Sequence, residues 1–117
     1  METVDAAVLE ALGQFESATI QNAALFVRGY VPAGEDYSGP ELRCMLPDVG
    51  TLVGYAMTAE KTALHSEPGS IGNADYYDQI AYADVPTIAV IQDFSDPPNR
   101  GALWGDEMAH ILASLGC

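Results

Sequence analysis

Positive charge is what this sequence has least of. Its basic side chains are four, Arg28, Arg43, Lys61 and Arg100, against 17 acidic ones, for a formal charge of −13. Such a chain repels phosphate backbones and anionic lipid, so neither nucleic acid nor a membrane is expected as a partner. Solubility, including halophilic adaptation, accounts for the acidity by itself. An anionic ligand would have to be held by local groups, against the field of the whole chain. Cysteine is almost as scarce. Cys44 and Cys117 lie far apart in sequence, make a poor disulfide framework, and read as buried thiols. The two histidines, His65 and His110, fall in no HExxH-like pattern. Asp106 and His110, spaced i and i+4, share a helix face and could meet one metal. The plainer reading of His110 is a solvated residue opposite an apolar stripe, because further ligands are missing. No apolar run is as long as a membrane span. The first residues, Met1-Glu2-Thr3-Val4-Asp5, are acidic and lack the basic region of a signal peptide, so a cytoplasmic location is expected. Internal repeats, low-complexity tracts and a SAM-type Gly-rich loop are absent.

What is present is an apolar fraction of 49% in 117 residues, enough for one globular domain with a core. Val4, Val8, Leu9, Leu12 and Phe15 recur at helical spacing, and Gly13 weakens the end of that helix. Ser17 or Thr19 is placed to cap a second helix running through Ile20, Ala23, Ala24 and Val27. The stretch from Arg28 to Pro40 holds glycines, prolines and acids and reads as a loop. Leu42 to Met45 is a short strand candidate. A stronger strand spans Leu52 to about Leu64, with Val53, Tyr55, Met57 and Ala59 on one face and Leu52, Gly54, Ala56 and Thr58 on the other. Glu60, Lys61 and Thr62 mark its wetter end. His65 to Asn73 is a connector, and Ala74 to Tyr82 a short helix with Tyr76, Tyr77 and Ile80 among its apolar members. The order α, α, β, β, α, β, α indicates a mixed α/β domain.

The last third, from Val85 to Cys117, organises the rest. Thr87-Ile88-Ala89-Val90-Ile91 is a nearly all-apolar run that fits a strand buried on both faces. A loop rich in Asp, Pro, Asn and Gly follows. A helix from about Leu103 to Leu115 is expected next, its stripe formed by Trp104, Met108, Ile111, Leu112 and Leu115, with Trp104 buried at the start of the stripe. Asp106 and Glu107 suit the first turn, and Gly116 suits the C′ position. A strand end, a loop and a helix N-terminus together are the usual place for a small-molecule site in an α/β protein. Free N–H groups around Gly105 to Met108 are suited to an anion's oxygens. On the residues alone the plainer account is a strand–helix unit packing its stripe, since few helix N-termini bind ligands.

Five segments, Phe15-Glu16-Ser17-Ala18-Thr19-Ile20-Gln21-Asn22-Ala23, Leu52-Val53-Gly54-Tyr55-Ala56-Met57-Thr58-Ala59, Val90-Ile91-Gln92-Asp93, Gly101-Ala102-Leu103-Trp104-Gly105-Asp106-Glu107 and Ala113-Ser114-Leu115-Gly116-Cys117, carry a pattern. Together they resemble the RraA-like family of 4-hydroxy-4-methyl-2-oxoglutarate aldolases and regulators of ribonuclease E activity. They cover most of the chain in the family's order. The resemblance implies the swivelling β/β/α fold, a homotrimer or dimer of trimers, and active sites between neighbouring subunits. It implies retro-aldol cleavage of 4-hydroxy-2-oxo acids and decarboxylation of oxaloacetate to pyruvate, with a divalent metal, Mg²⁺ or Mn²⁺, stabilising the enolate. It assigns substrate binding to Gly105, Asp106, Glu107 and Met108, and a catalytic role to Asp106. The family's substrate-binding Arg and metal-facing Asp form an adjacent pair further on. No Arg-Asp pair occurs in these 117 residues. The expectation is therefore the N-terminal part of a single RraA-like domain, lacking its C-terminal strands, with the metal-site Asp beyond Cys117 and no activity of its own. A non-enzymatic regulator that binds a ribonuclease or other protein is the alternative, and a binding domain for some other small molecule is a third.

Overall fold

The structure is a computed structural model that describes residues 3–30, 32, 34, 37–64 and 68–117. Parts of the loops expected over Arg28 to Pro40 and His65 to Asn73, His65 included, lie outside the described residues. The chain divides into two compact units, Met1–Val53 and Gly54–Cys117.

In the first unit, helix α1 covers Ala6–Leu12 and helix α2 covers Ser17–Arg28. The Asp5 carboxylate caps α1 by accepting the Ala7 N–H at 2.9 Å, which satisfies a donor that a helix start leaves free. Neither expected cap serves α2. The helix already includes Ser17, and Glu16 stands at the N-cap in extended backbone without a side-chain bond. Arg28 lies in the last turn of α2, where a cation is favoured by the dipole, and Gly29 leaves the helix at φ 79°. Neither helix has a buried residue. Leu9, Leu12, Ile20 and Leu25 are half-buried, whereas Val4, Val8 and Phe15 of the expected stripe are exposed. The strand expected over Leu42 to Met45 does not form. That segment is irregular, with Leu42 and Met45 exposed. Only a 3₁₀ turn, Pro47–Val49, follows it. The four residues Leu42 to Met45, set between Pro40 and Pro47, are too few to hold a strand without a partner. Cys44, expected to be buried, is exposed there.

The second unit is a βαβα arrangement. Strand β1 (Tyr55–Lys61), helix α3 (Asn73–Ala81), strand β2 (Thr87–Asp93) and helix α4 (Asp106–Ser114) follow in order. The strands are parallel and in register from Tyr55 opposite Thr87 to Lys61 opposite Asp93. Parallel pairing requires a crossover, which α3 supplies. At the start of the pair the Tyr55 N–H donates to the Pro86 carbonyl at 2.8 Å. Here Gly54 runs so close to the neighbouring strand that a Cβ would sit 3.0 Å from the Pro86 oxygen.

β1 is shorter than the Leu52 to about Leu64 expected, but its alternation holds, with Tyr55, Met57 and Ala59 turned inward and Ala56 and Thr58 exposed. Tyr76 and Ile80 of α3 and Met108 and Leu112 of α4 make the buried core, packed on Met57, Ala59, Ala89 and Ile91. The Tyr76 hydroxyl donates to the Met57 carbonyl at 2.7 Å. Burial pushes the Tyr76 phenol up, with a smaller contribution from charge at Cys117. Cys117 is half-buried against the same core.

Two expectations fail in this unit. Strand β2 is not buried on both faces. Both helices pack on one face of the sheet, and Val90 on the other is 46% exposed. The last helix also begins later than its stripe implied. Gly105 is still extended at φ −146°, ψ 175°, and helical backbone starts at Asp106. Trp104 therefore precedes the helix and is 47% exposed. Apolar spacing extrapolated the helix backward through Gly105, a residue that resists helix on entropic grounds. The rest of the stripe holds, with Met108 and Leu112 buried and Ile111 and Leu115 half-buried. So does the end. Gly116 has φ 85°, its N–H donates to the Ala113 carbonyl, and the Cys117 N–H donates to the Leu112 carbonyl. That is a Schellman close.

Candidate functional site

The C-terminal ends of parallel strands are where an α/β sheet leaves a crevice. In the second unit, β1 ends at Lys61 and β2 at Asp93, directly opposite each other in register. Strand parity puts both on the face that carries the core, because Tyr55, Met57, Ala59 and Lys61 alternate inward, as do Thr87, Ala89, Ile91 and Asp93. These two charged ends serve different purposes.

Asp93 organises the loop after β2. Its carboxylate accepts the Ser95 N–H at 2.9 Å and the Asn99 N–H at 2.6 Å. The Ser95 side chain foremost, then the backbone N–H groups of Asn99 and Ser95, hold the carboxyl below the usual carboxylate range. The loop is also tied to the segment after β1. The Phe94 N–H donates to the Lys61 carbonyl at 2.9 Å. The hydroxyls of Thr62 and buried Ser95 lie 3.3 Å apart. Gly101 faces Ala63 so closely that a Cβ there would collide with the Ala63 side chain.

Lys61 enters a cleft of about 450 Å³ between the start of α3, the loop segment 102–105 and the first turns of α4. Its ammonium donates to the Leu103 carbonyl at 3.1 Å and lies 3.8 Å from the Met108 sulfur. Gly105, Asp106, Glu107 and Met108 all line this cleft, with Tyr77 and Ile111 as apolar wall. Thus the four positions assigned from sequence share one cavity, but they are not equivalent. Gly105, Asp106 and Glu107 are exposed at its mouth, while Met108 belongs to the buried core. The Glu107 N–H is already taken by the Asp106 carboxylate at 2.9 Å, so that N–H is not free for a ligand.

Sequence reasoning passed over Lys61, treating it as the wet end of a strand. A signal existed. Lys61 is the chain's sole lysine, and the period-2 alternation that sets Met57 and Ala59 inward sets Lys61 inward as well. Arg100, the basic residue nearest in sequence to the expected site, is exposed and does not line the cleft. His110 is exposed on α4.

The side chains around the cleft do not fit a divalent metal by themselves. Among the described residues no three His, Cys, Asp or Glu side chains converge to hold one. Asp106 is turned onto its own helix, and an ammonium occupies the position where a cation's charge would be opposed. Oxygen-ligated metals need several convergent donors. What the cleft offers is one cation, two carboxylates at the mouth and an apolar wall.

No protein-family model, curated protein or solved structure matches this chain. Among the described residues no helix is long and apolar enough to cross a membrane.

Proposed function

We propose that the chain is part of a metal-dependent lyase of the RraA-like type. It would act on small 2-oxo acids, by retro-aldol cleavage of 4-hydroxy-2-oxo acids, by decarboxylation of oxaloacetate to pyruvate, or by both. One observation carries the reading. Gly105, Asp106, Glu107 and Met108, the residues through which the resemblance assigns substrate binding, line a cleft at the strand ends large enough for such an acid. In this reading the residues described here bind and orient the substrate. Mg²⁺ or Mn²⁺ supplies Lewis acidity when bound, and its ligands are not among the side chains of this cleft. The protein is then a cytoplasmic enzyme, and a homotrimer or dimer of trimers.

The test is pyruvate release from oxaloacetate with added Mg²⁺ or Mn²⁺. Residues 1–117 alone, which contain no Arg-Asp pair, are expected to remain at the metal-only background. Within a longer reading frame that supplies such a pair, they are expected to turn over. Asp106→Ala in that frame should cut turnover while costing about 0.3–1 kcal/mol of stability, the dipole contribution of an exposed first-turn acid. Activity of residues 1–117 well above background would show that no Arg-Asp pair is needed. Unchanged turnover in Asp106→Ala would remove that residue from the chemistry.

A second reading, a non-enzymatic regulator that docks on a ribonuclease or another protein, is favoured by the apolar side chains that stand in water. Phe26 is 92% exposed, and Val27 beside it nearly as much. No pyruvate release from the whole reading frame would favour it.

A further inference from the structure

We infer that Lys61 is the residue that selects a carboxylate in the cleft. This rests on reading the cleft as a 2-oxo acid site and names the group that would hold the acid. The lysine leaves β1 on the core side of the sheet, is half-buried as a residue, and brings its ammonium to 3.8 Å from the Met108 sulfur. Its hydrogen-bond partners among the described residues, the Leu103 carbonyl and the Met108 sulfur, are both uncharged atoms. They use at most two of the ammonium's three N–H donors. An ammonium whose bonded partners in the cavity are neutral is placed to pair with an incoming carboxylate. Neither acid at the cavity's mouth is among the ammonium's bonded partners. Asp106 is engaged with the Glu107 N–H, and Glu107 is exposed at the mouth. With Tyr77 and Ile111 as an apolar wall, the ligand that fits is a small organic acid, its carboxylate on Lys61 and its carbon end against the wall. In a chain of charge −13, this single ammonium decides whether an anion is accepted there at all.

The experiment is ligand-observed NMR on residues 1–117 in EDTA, with pyruvate and with uncharged pyruvamide as probes. Pyruvate is expected to bind and pyruvamide not. Added NaCl should weaken pyruvate binding. Lys61→Gln keeps an N–H donor for the Leu103 carbonyl and removes the charge, so it should weaken pyruvate binding about ten- to a hundredfold. Lys61→Arg keeps the charge and should stay within about threefold of the unsubstituted chain. Far-UV circular dichroism and the urea midpoint identify a variant that has lost the fold, and the ε-carbon resonance of the single lysine, expected to shift with pyruvate and not with pyruvamide, decides the matter without any variant. Absence of pyruvate binding, binding indifferent to salt, or a folded Lys61→Gln that binds as well as the parent would overturn the inference and leave Lys61 as a latch on Leu103. Lys61-dependent binding without turnover in the whole reading frame would retain the carboxylate site and remove the lyase.

Discussion

Truncating Leu112 to alanine should cost more stability than truncating Trp104, although tryptophan is the larger side chain. Leu112 is 2% exposed, in a core of four buried residues. The substitution removes three carbons, worth about 2.4 kcal/mol at about 0.8 kcal/mol per buried carbon, and the cavity left behind raises the cost to about 3 kcal/mol or more. A fully buried tryptophan truncated to alanine costs about 3–5 kcal/mol. With nearly half of Trp104 already in water, about 1.5–2.5 kcal/mol is expected. Phe26→Ala, at a position almost wholly in solvent, should stay within about 0.5 kcal/mol. Urea titration of residues 1–117, followed by far-UV circular dichroism, measures all three, provided the m-value is unchanged. If Trp104→Ala proves as costly as Leu112→Ala, Trp104 is in the core. The last helix then starts near Leu103, and the described arrangement of segment 102–105 around Lys61 is wrong.

Two further outcomes concern the loop that borders the cleft. Gly101→Ala places a methyl against the Ala63 side chain and should destabilise by about 1–3 kcal/mol; adding Ala63→Gly should restore most of the loss in the same titration, and no recovery would mean the two positions are not in contact. Asp93 has a native pKa below its unfolded value, so its stabilisation is present above the unfolded pKa, near pH 4, and is lost as pH falls through the lowered native one. Asp93→Asn should therefore flatten the loss of stability below about pH 4, and an unchanged acid slope would show that the loop does not depend on this carboxylate.

The second unit was legible because its signals agree with each other. Period-2 alternation gave the inward set of β1, and the 3.6-residue stripe gave Met108, Ile111 and Leu112. Gly116 gave the helix end. Two of the errors share a cause, which is that apolar character reports burial without reporting what does the burying. Thr87 to Ile91 is apolar on both sides, yet both helices of its unit lie on one face of the sheet. Val4, Val8 and Phe15 recur at helical spacing, yet α1 and α2 have no buried residue. A one-dimensional pattern assigns a face, and tertiary arrangement decides whether it is covered.

The site was half legible for a related reason. Gly105 to Met108 drew attention through the resemblance and through their place at a helix start, and they do line one cavity. Lys61 drew none, because charge at a strand end is normally solvated. Its parity is what separates it from an ordinary strand-end lysine. On the outward set, with Thr58 and Glu60, it would face water. On the inward set, with Met57 and Ala59, it enters the space between sheet and helices at the point where the core stops. Asp93 is at the matching position of the neighbouring strand, and its carboxylate is spent on Ser95 and Asn99 rather than on the lysine. A pair of opposite charges in register at the open end of a parallel sheet would ordinarily neutralise itself. Here the acid is diverted into shaping a loop, and the ammonium is left with neutral partners. That division of labour leaves one ammonium among neutral partners in a cleft whose mouth carries two carboxylates, in a chain that has almost no positive charge to place.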